Sequence, residues 1–293
     1  MIKNTSKLVI VHLGDNKFLD IKRDIILGIY HTLVALDYDV VISNNMLDKN
    51  RLNIIIGLDI TSREIRTQLQ NSQIDYIVYE TEIIHNGALN SRPKAAIDLE
   101  LDYLPTLAKA KLVLSPFKYV VNTLKNQYGI NAIYVKWGYV PELNDIEVRK
   151  DDQKGIDCYF FGILTKKRNN ILQQIMKSGL KVKITDFPGI PVFLRNHFIS
   201  RSKLVLSLQH NSQWMTVNPY RIMYPIQNNC CVVTEKQSSD LDGYNDYAVV
   251  ADTVDFVNYC THLIHSKEYQ ILRQKKQALV MAEPMIDQFK DLI

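Results

Sequence analysis

The sequence predicts an α/β protein made of two doubly wound domains, each a parallel sheet with helices on both faces. Three observations carry this. Short β-branched apolar runs alternate with longer stretches of helical period along the chain. Near the midpoint, Glu147-Val-Arg-Lys-Asp-Asp-Gln-Lys154 has no apolar period and reads as an exposed linker, after which the alternation restarts. The length, 293 residues, suits two domains at roughly 100–200 residues each.

In the first half, Lys7–Leu13 is a strand and Ile21–Leu36 a helix, whose Ile25, Ile26, Ile29, Tyr30, Leu33 and Leu36 form one apolar face. Strands follow at Val40–Ser43 and Asn53–Gly57, then a helix at Ser62–Leu69 and a strand at Asp75–Tyr79. The pattern continues with helix Asp98–Ala110, strand Lys111–Ser115, helix Lys118–Tyr128 and strand Ala132–Lys136. In the second half the strands are Asp157–Phe161, Lys181–Thr185, Lys203–Leu208, Cys231–Thr234 and Tyr247–Val250. The helices between and after them are Lys166–Ser178, Val192–Phe198, Pro219–Gln227, Thr253–His265, Lys267–Ala282 and Pro284–Leu292. The expected domains are 1–146 and 155–275, with 276–293 as a C-terminal helical segment.

Composition narrows the class. With 46% hydrophobic and 23% charged residues the chain is neither disordered, collagen-like nor a coiled coil. The apolar run before Asp15 is too short for a signal peptide, and no run reaches the ~20 apolar residues of a membrane span. The expectation is a soluble, cytoplasmic protein. Cys158, Cys230, Cys231 and Cys260 form no C-x-x-C pair or zinc framework and are expected as buried thiols. The net charge of +4 comes from scattered residues rather than a basic stripe, so no nucleic-acid partner is expected. The same modest excess suits a small anionic ligand or peripheral contact with an anionic membrane.

In open α/β sheets ligands bind beyond the carboxyl ends of the strands, so chemistry is sought in the loops there, and two such domains would face each other across a cleft. In the first half these loops hold His12-Leu-Gly14-Asp15, Glu80-Thr-Glu82-Ile-Ile-His85 and Ser115-Pro116. In the second they hold Gly162 followed by Lys166-Lys167-Arg168 at a helix start, Gln209-His210-Asn211, Asn218-Pro-Tyr-Arg221 and Thr234-Glu235. A helix N-terminus carries free N–H groups and about half a positive charge. Basic side chains on a first turn oppose that dipole, which adds weight to an anion there beside the alternative of a solvated Lys/Arg run. No G-x-G-x-x-G, Walker A, H-E-x-x-H or G-x-S-x-G motif occurs, which argues against an NAD enzyme, a P-loop NTPase, a zincin or an acyl hydrolase.

The second half resembles the C-terminal domain of GT-B glycosyltransferases, the broad group of glycosyl transferases family 1. The resemblance rests on Tyr159-Phe-Phe-Gly162, Lys167-Arg168-Asn-Asn-Ile-Leu172, Ser202-Lys-Leu-Val-Leu-Ser207 and above all Arg221-Ile-Met-Tyr-Pro-Ile-Gln-Asn-Asn-Cys-Cys-Val-Val-Thr-Glu235. The first half resembles the partner domain at Ile77-Val-Tyr79-Glu-Thr-Glu82 and at Lys136-Trp-Gly138-Tyr-Val-Pro141. Many retaining members carry a Glu-x7-Glu pair. Tyr224 stands here at the second position, and Glu235 is either a replacement or a strand-end residue.

The resemblance implies two Rossmann-like domains and transfer of a sugar from a nucleotide-sugar donor to an acceptor hydroxyl, without a cofactor or obligatory metal. Donor contacts fall to Gly162, Lys166, Lys167, Arg168, His210, Asn211, Asn218, Arg221 and Glu235. The acceptor side falls to Gly14 and Asp15, with Glu82 or His85 as the candidate base. Glycan, lipid or protein acceptors fit the class. The segment 276–293 is expected to pack back on the first domain. Two other readings are a nucleotide-sugar epimerase of the same fold and a non-catalytic nucleotide- or glycan-binding subunit.

Overall fold

A computed structural model of the chain describes residues 7–85, 87–89, 98–186, 190–210, 216–237, 240–290 and 292. It divides into two compact units, Met1–Trp137 with Met285–Ile293, and Gly138–Pro284.

The first unit holds strands β1 (Lys7–His12), β2 (Asp39–Asn44), β3 (Leu52–Ile56), β4 (Tyr76–Tyr79), a short antiparallel pair β5 (Ile84–His85) and β6 (Ala88–Leu89), then β7 (Leu112–Ser115) and β8 (Ala132–Tyr134). Six strands form one parallel sheet in the order β2-β1-β3-β4-β7-β8. The register pairs Val9 with Val41, Ile10 with Ile54, Ile55 with Val78 and Leu114 with Ile133. The near-continuous apolar runs on β1, β3 and β4 are what a sheet covered on both faces requires.

Helix α1 (Leu19–Ala35) buries Lys22, Ile25, Ile26, Ile29 and Leu33 at helical spacing, and Asp37 beyond it takes a left-handed conformation, φ 62°. Helix α2 (Arg63–Asn71) starts at Ser62, whose hydroxyl accepts from the Ile65 N–H. The helix expected over Asp98–Ala110 is broken in two. A π-type turn spans Leu99–Tyr103, capped by Asp98, and α3 (Leu104–Lys109) begins only afterwards. Pro105 explains this, since proline lacks an N–H and fits a first turn but not a helix interior. Helix α4 (Lys118–Tyr128) stops at Gly129, φ 64°.

The second unit holds β9 (Ile156–Phe161), α5 (Lys166–Lys177), β10 (Val182–Thr185), α6 (Val192–Ser200), β11 (Ser202–Ser207), α7 (Pro219–Gln227), β12 (Cys231–Glu235), β13 (Val249–Ala251), α8 (Phe256–Ser266) and α9 (Tyr269–Met281). Its five-stranded sheet is parallel, in the order β10-β9-β11-β12-β13. Cys158, Phe160, Leu172, Leu206, Val233, Phe256 and Cys260 form its core. All four cysteines are buried free thiols.

The charged segment Glu147–Lys154, read from sequence as a linker, belongs to the second unit. The Arg149 N–H donates to the Ser200 carbonyl, and Arg273 Nη1 lies 2.7 Å from Asp151 Oδ1. Further back, the Tyr139 N–H donates to the Glu283 carbonyl and the Ile146 N–H to Asn228 Oδ1. The boundary between the units falls at Trp137–Gly138, and the segment after it is tied into the second unit by these backbone bonds and the Asp151–Arg273 pair. The last helix, α10 (Ile286–Phe289), packs on α1 within the first unit. No helix among the described residues is long and apolar enough to cross a membrane.

Candidate functional site

In the second unit the sequence-derived residues gather at the carboxyl ends of β9, β11 and β12, three adjacent strands. β9 ends in Phe161-Gly162, and Gly162 takes φ +130°, which side chains rarely adopt. That glycine lets the Arg221 guanidinium lie directly over the backbone, where Arg221 Nη1 donates to the Phe161 carbonyl at 2.6 Å. Arg221 rises from the first turn of α7, which Asn218 caps by accepting from the Tyr220 N–H, with Pro219 at the first helical position.

The loop after Gly162 runs into α5, whose N-cap Thr165 accepts from the Arg168 N–H. Lys166 is exposed on that first turn. Lys167 reaches across to the loop after β11 and the end of β12, with Nζ 2.9 Å from Glu235 Oε1 and 3.0 Å from Gln209 Oε1. Arg168 turns inward and is 1% exposed. Its guanidinium donates to the carbonyls of Leu208, Gln209 and Ile163 and lies 3.4 Å from His210 Nδ1. It is therefore a staple between the loops after β9 and β11, with its charge retained behind them. Burial first, then the neighbouring Arg221, pushes this guanidinium below the ordinary arginine range, and Glu235 opposes that. The same burial, with Arg168 and Arg221 beside it, lowers His210 and favours the neutral imidazole.

Glu235, fully buried, closes the arrangement. It accepts from the Gln209 N–H at 2.7 Å and the Thr253 hydroxyl at 3.2 Å as well as pairing with Lys167. Asn211 lies outside the described residues. Tyr224, where many retaining GT-B enzymes carry a glutamate, is turned to packing. Its hydroxyl donates to Asp145 Oδ1 and accepts from Asn196 Nδ2, and Arg195 stacks over its ring at 4.5 Å.

In the first unit, Gly14 takes φ +132° and is held by Asn45, which accepts from its N–H and donates to its carbonyl. Asp15 caps the short turn Asn16–Phe18 and pairs with Lys17 at the surface. Glu82 and His85 stand in different settings. His85 Nδ1 lies 2.6 Å from the Tyr119 hydroxyl, while Glu82 Oε1 pairs with Lys22 Nζ at 3.0 Å.

Sequence reasoning missed the partners of Glu82. Lys22 Nζ also meets Thr81 Oγ1 at 2.6 Å and Asp59 Oδ1 at 3.4 Å, and Glu80 beside them is 2% exposed. One signal was available. Lys22 stands three residues before Ile25 and seven before Ile29, on the apolar stripe of its helix, where a charge needs a buried partner.

No family model matches the sequence, and no curated protein matches it. Solved structures do match. An alpha-glucosyltransferase in complex with UDP and a 13-mer DNA superposes with TM-score 0.61 at 9% identity, over 99% of this chain and 98% of that one. Sucrose-phosphate synthase from Thermosynechococcus elongatus gives 0.56 at 9% over 98% of both chains. A glycosyltransferase involved in avilamycin A biosynthesis gives 0.52 at 10%, again over 98% of both. Since one of these folds carries DNA in its own structure, the likeness lends nothing to the expectation that nucleic acid is excluded. At such identities the likeness is one of fold, and the fold is GT-B: two Rossmann-like α/β units along essentially the whole chain.

Proposed function

We propose that the chain is a glycosyltransferase that moves a sugar from a nucleotide-sugar donor to an acceptor hydroxyl, with the donor diphosphate held at the carboxyl ends of β9, β11 and β12. The observation that carries this reading is the approach of Arg221 over Gly162 beside the start of α5. In the transfer, the acceptor oxygen bonds to the anomeric carbon while the bond from that carbon to the diphosphate oxygen breaks, and negative charge grows on the leaving diphosphate. Arg221, the N–H groups that open α5 and the charge of Arg168 behind them are fixed dipoles and cations for that charge, and they cost no reorganisation as it develops. This supply of positive charge supports a reaction without an obligatory metal. Lys166 and Lys167 add to the same field, and Glu82 or His85 receives the acceptor proton. The acceptor class spans glycan, lipid and protein hydroxyls, and the DNA bound by one structure of this fold adds duplex DNA to those worth testing.

A thermal-shift panel of UDP-, GDP-, dTDP- and CMP-sugars identifies the donor, because a ligand of the native state stabilises it by RT ln(1 + [L]/Kd). Transfer assays with the stabilising donor follow. Stabilisation by one nucleotide class and a glycosylated product are expected. An epimerised donor formed without acceptor would replace this reading with the epimerase, and binding without turnover on any acceptor with a non-catalytic subunit. No stabilisation by any nucleotide sugar overturns the donor site itself.

A further inference from the structure

The carboxyl ends of β1, β3 and β4 enclose a buried cluster of charge. Lys22 comes from the start of α1, Asp59 from the turn Leu58–Ile60 after β3, and Glu80, Thr81 and Glu82 from the segment after β4. The Lys22 side chain is 7% exposed, Asp59 3% and Glu82 15%, so Glu82 is the member nearest solvent. An ammonium has three protons, and Lys22 has three acceptors around it: Thr81 Oγ1, Glu82 Oε1 and Asp59 Oδ1. Burial works against this charge, but Asp59 and Glu82 outweigh it and hold Lys22 above the ordinary lysine range.

Glu80 is placed differently. The Tyr103 hydroxyl lies 2.5 Å from its Oε2, and its Oε1 accepts from the Glu82 N–H at 2.8 Å. A hydroxyl and an amide bond it, not a cation. A carboxylate buried with no cation bonded to it is costly, and protonating it removes that charge. Glu80 is the carboxyl without a bonded cation, so the proton belongs there. Desolvation, with Asp59 and Glu82 adding to it, raises its carboxyl to about 8, while Tyr103 and the Glu82 amide oppose the shift.

We propose that Lys22 is a positioning residue which, anchored by Asp59 and Thr81, fixes the Glu82 carboxylate as the acceptor-side group, while Glu80 remains a neutral acid beneath it. The two glutamates then hold different protonation states because their surroundings differ, the arrangement by which one site keeps an acid and a base apart. Ionising Glu80 adds a second negative charge within the same amide-linked segment and competes with Glu82 for Lys22. The role of Glu82 rests on the sugar-transfer reading, whereas the neutrality of Glu80 does not.

Two measurements on the full chain test this. In the first, the protein is labelled with 13C at the glutamate carboxyls and titrated by NMR without substrate. One carboxyl is expected to titrate well above the ordinary glutamate range, and Glu80→Gln should abolish that resonance. If every glutamate titrates in the ordinary range, the neutral Glu80 is overturned, whatever the protein transfers. In the second, Lys22→Met is expected to lower kcat about tenfold or more with little change in donor KM, and Lys22→Arg to recover most of the loss. The acidic limb of the kcat profile should move in Lys22→Met, since Glu82 loses its cation. Nucleotide-sugar stabilisation should match wild type in both variants, which shows that the donor unit is intact. Wild-type kcat in folded Lys22→Met overturns the positioning role. Should Lys22→Met not fold, Thr81→Val removes one anchor conservatively, and an unchanged kcat there overturns the role equally. A wild-type chain that binds donor but transfers to nothing removes the assigned role of Glu82 and leaves the NMR result standing.

Discussion

A Cβ built on Gly162 would lie 2.4 Å from Arg221 Nη2 and 2.5 Å from Nη1. The glycine is thus the seat of the arginine, and Arg221→Ala and Gly162→Ala should have related effects. Gly162→Ala introduces strain at φ +130° and pushes the guanidinium off the Phe161 carbonyl. Both variants are expected to weaken nucleotide-sugar binding about tenfold or more, as loss of a charge-assisted contact does. Isothermal titration with the identified donor reads this directly. Wild-type affinity in both would remove Arg221 from the donor site.

Arg168→Met addresses the staple. The substitution leaves the carbonyls of Leu208, Gln209 and Ile163 without their donor in a buried place. A loss of about 2–3 kcal/mol is expected from buried groups left unsatisfied. Denaturant unfolding followed by tryptophan fluorescence measures it, and a change below about 0.5 kcal/mol would show that those carbonyls find other partners.

These residues also show how much the sequence revealed. The strands and helices were legible because β-branched runs and a 3.6-residue apolar period reflect burial directly. Placing Gly162, Lys167, Arg168, Arg221 and Glu235 near one another followed from the rule that parallel strands present their carboxyl ends together. What each side chain does there was not legible, since sequence does not tell an arginine aimed at a ligand from one aimed at carbonyls. Arg168 did carry a hint, because it lies three and four residues before Ile171 and Leu172 on the buried stripe of α5. The segment Glu147–Lys154 reads as a linker in sequence and lies within the second unit for the opposite reason. Asp151 looks like a solvated charge in sequence, and its partner Arg273 comes from elsewhere in the chain, as does the Ser200 carbonyl that takes the Arg149 backbone N–H.

Gly14 offers a test on the first unit. A Cβ there would lie 2.8 Å from Ile60 Cγ1 and 3.0 Å from the Ile60 carbonyl oxygen, and φ is +132°. Backbone, not a flexible tip, is one of the clashing groups. Gly14→Ala is expected to destabilise by about 1–3 kcal/mol, as side chains forced into such conformations do. A thermal scan showing an unchanged Tm would mean that the loop relaxes around the methyl group.

Glu80 makes stability depend on pH in a stated direction. Its carboxyl is raised from the ordinary 4.5 to about 8, chiefly by burial. Below 4.5 the folded and unfolded chains both hold the proton, and the group adds no slope. Between the two values the unfolded chain has lost the proton and the folded chain keeps it. Stability therefore falls as pH rises through this window, by about 1.4 kcal/mol per pH unit for a single such group. Above about 8 both states are ionised and the slope vanishes. Glu80→Gln keeps a neutral side chain at every pH, with an oxygen for the Glu82 N–H and an amide for the Tyr103 oxygen. The variant should gain on wild type steadily from pH 5 to pH 8 when their Tm values are compared, whatever its offset at pH 5. Parallel curves would mean that Glu80 is ionised in the folded protein and that the proton sits elsewhere in the cluster.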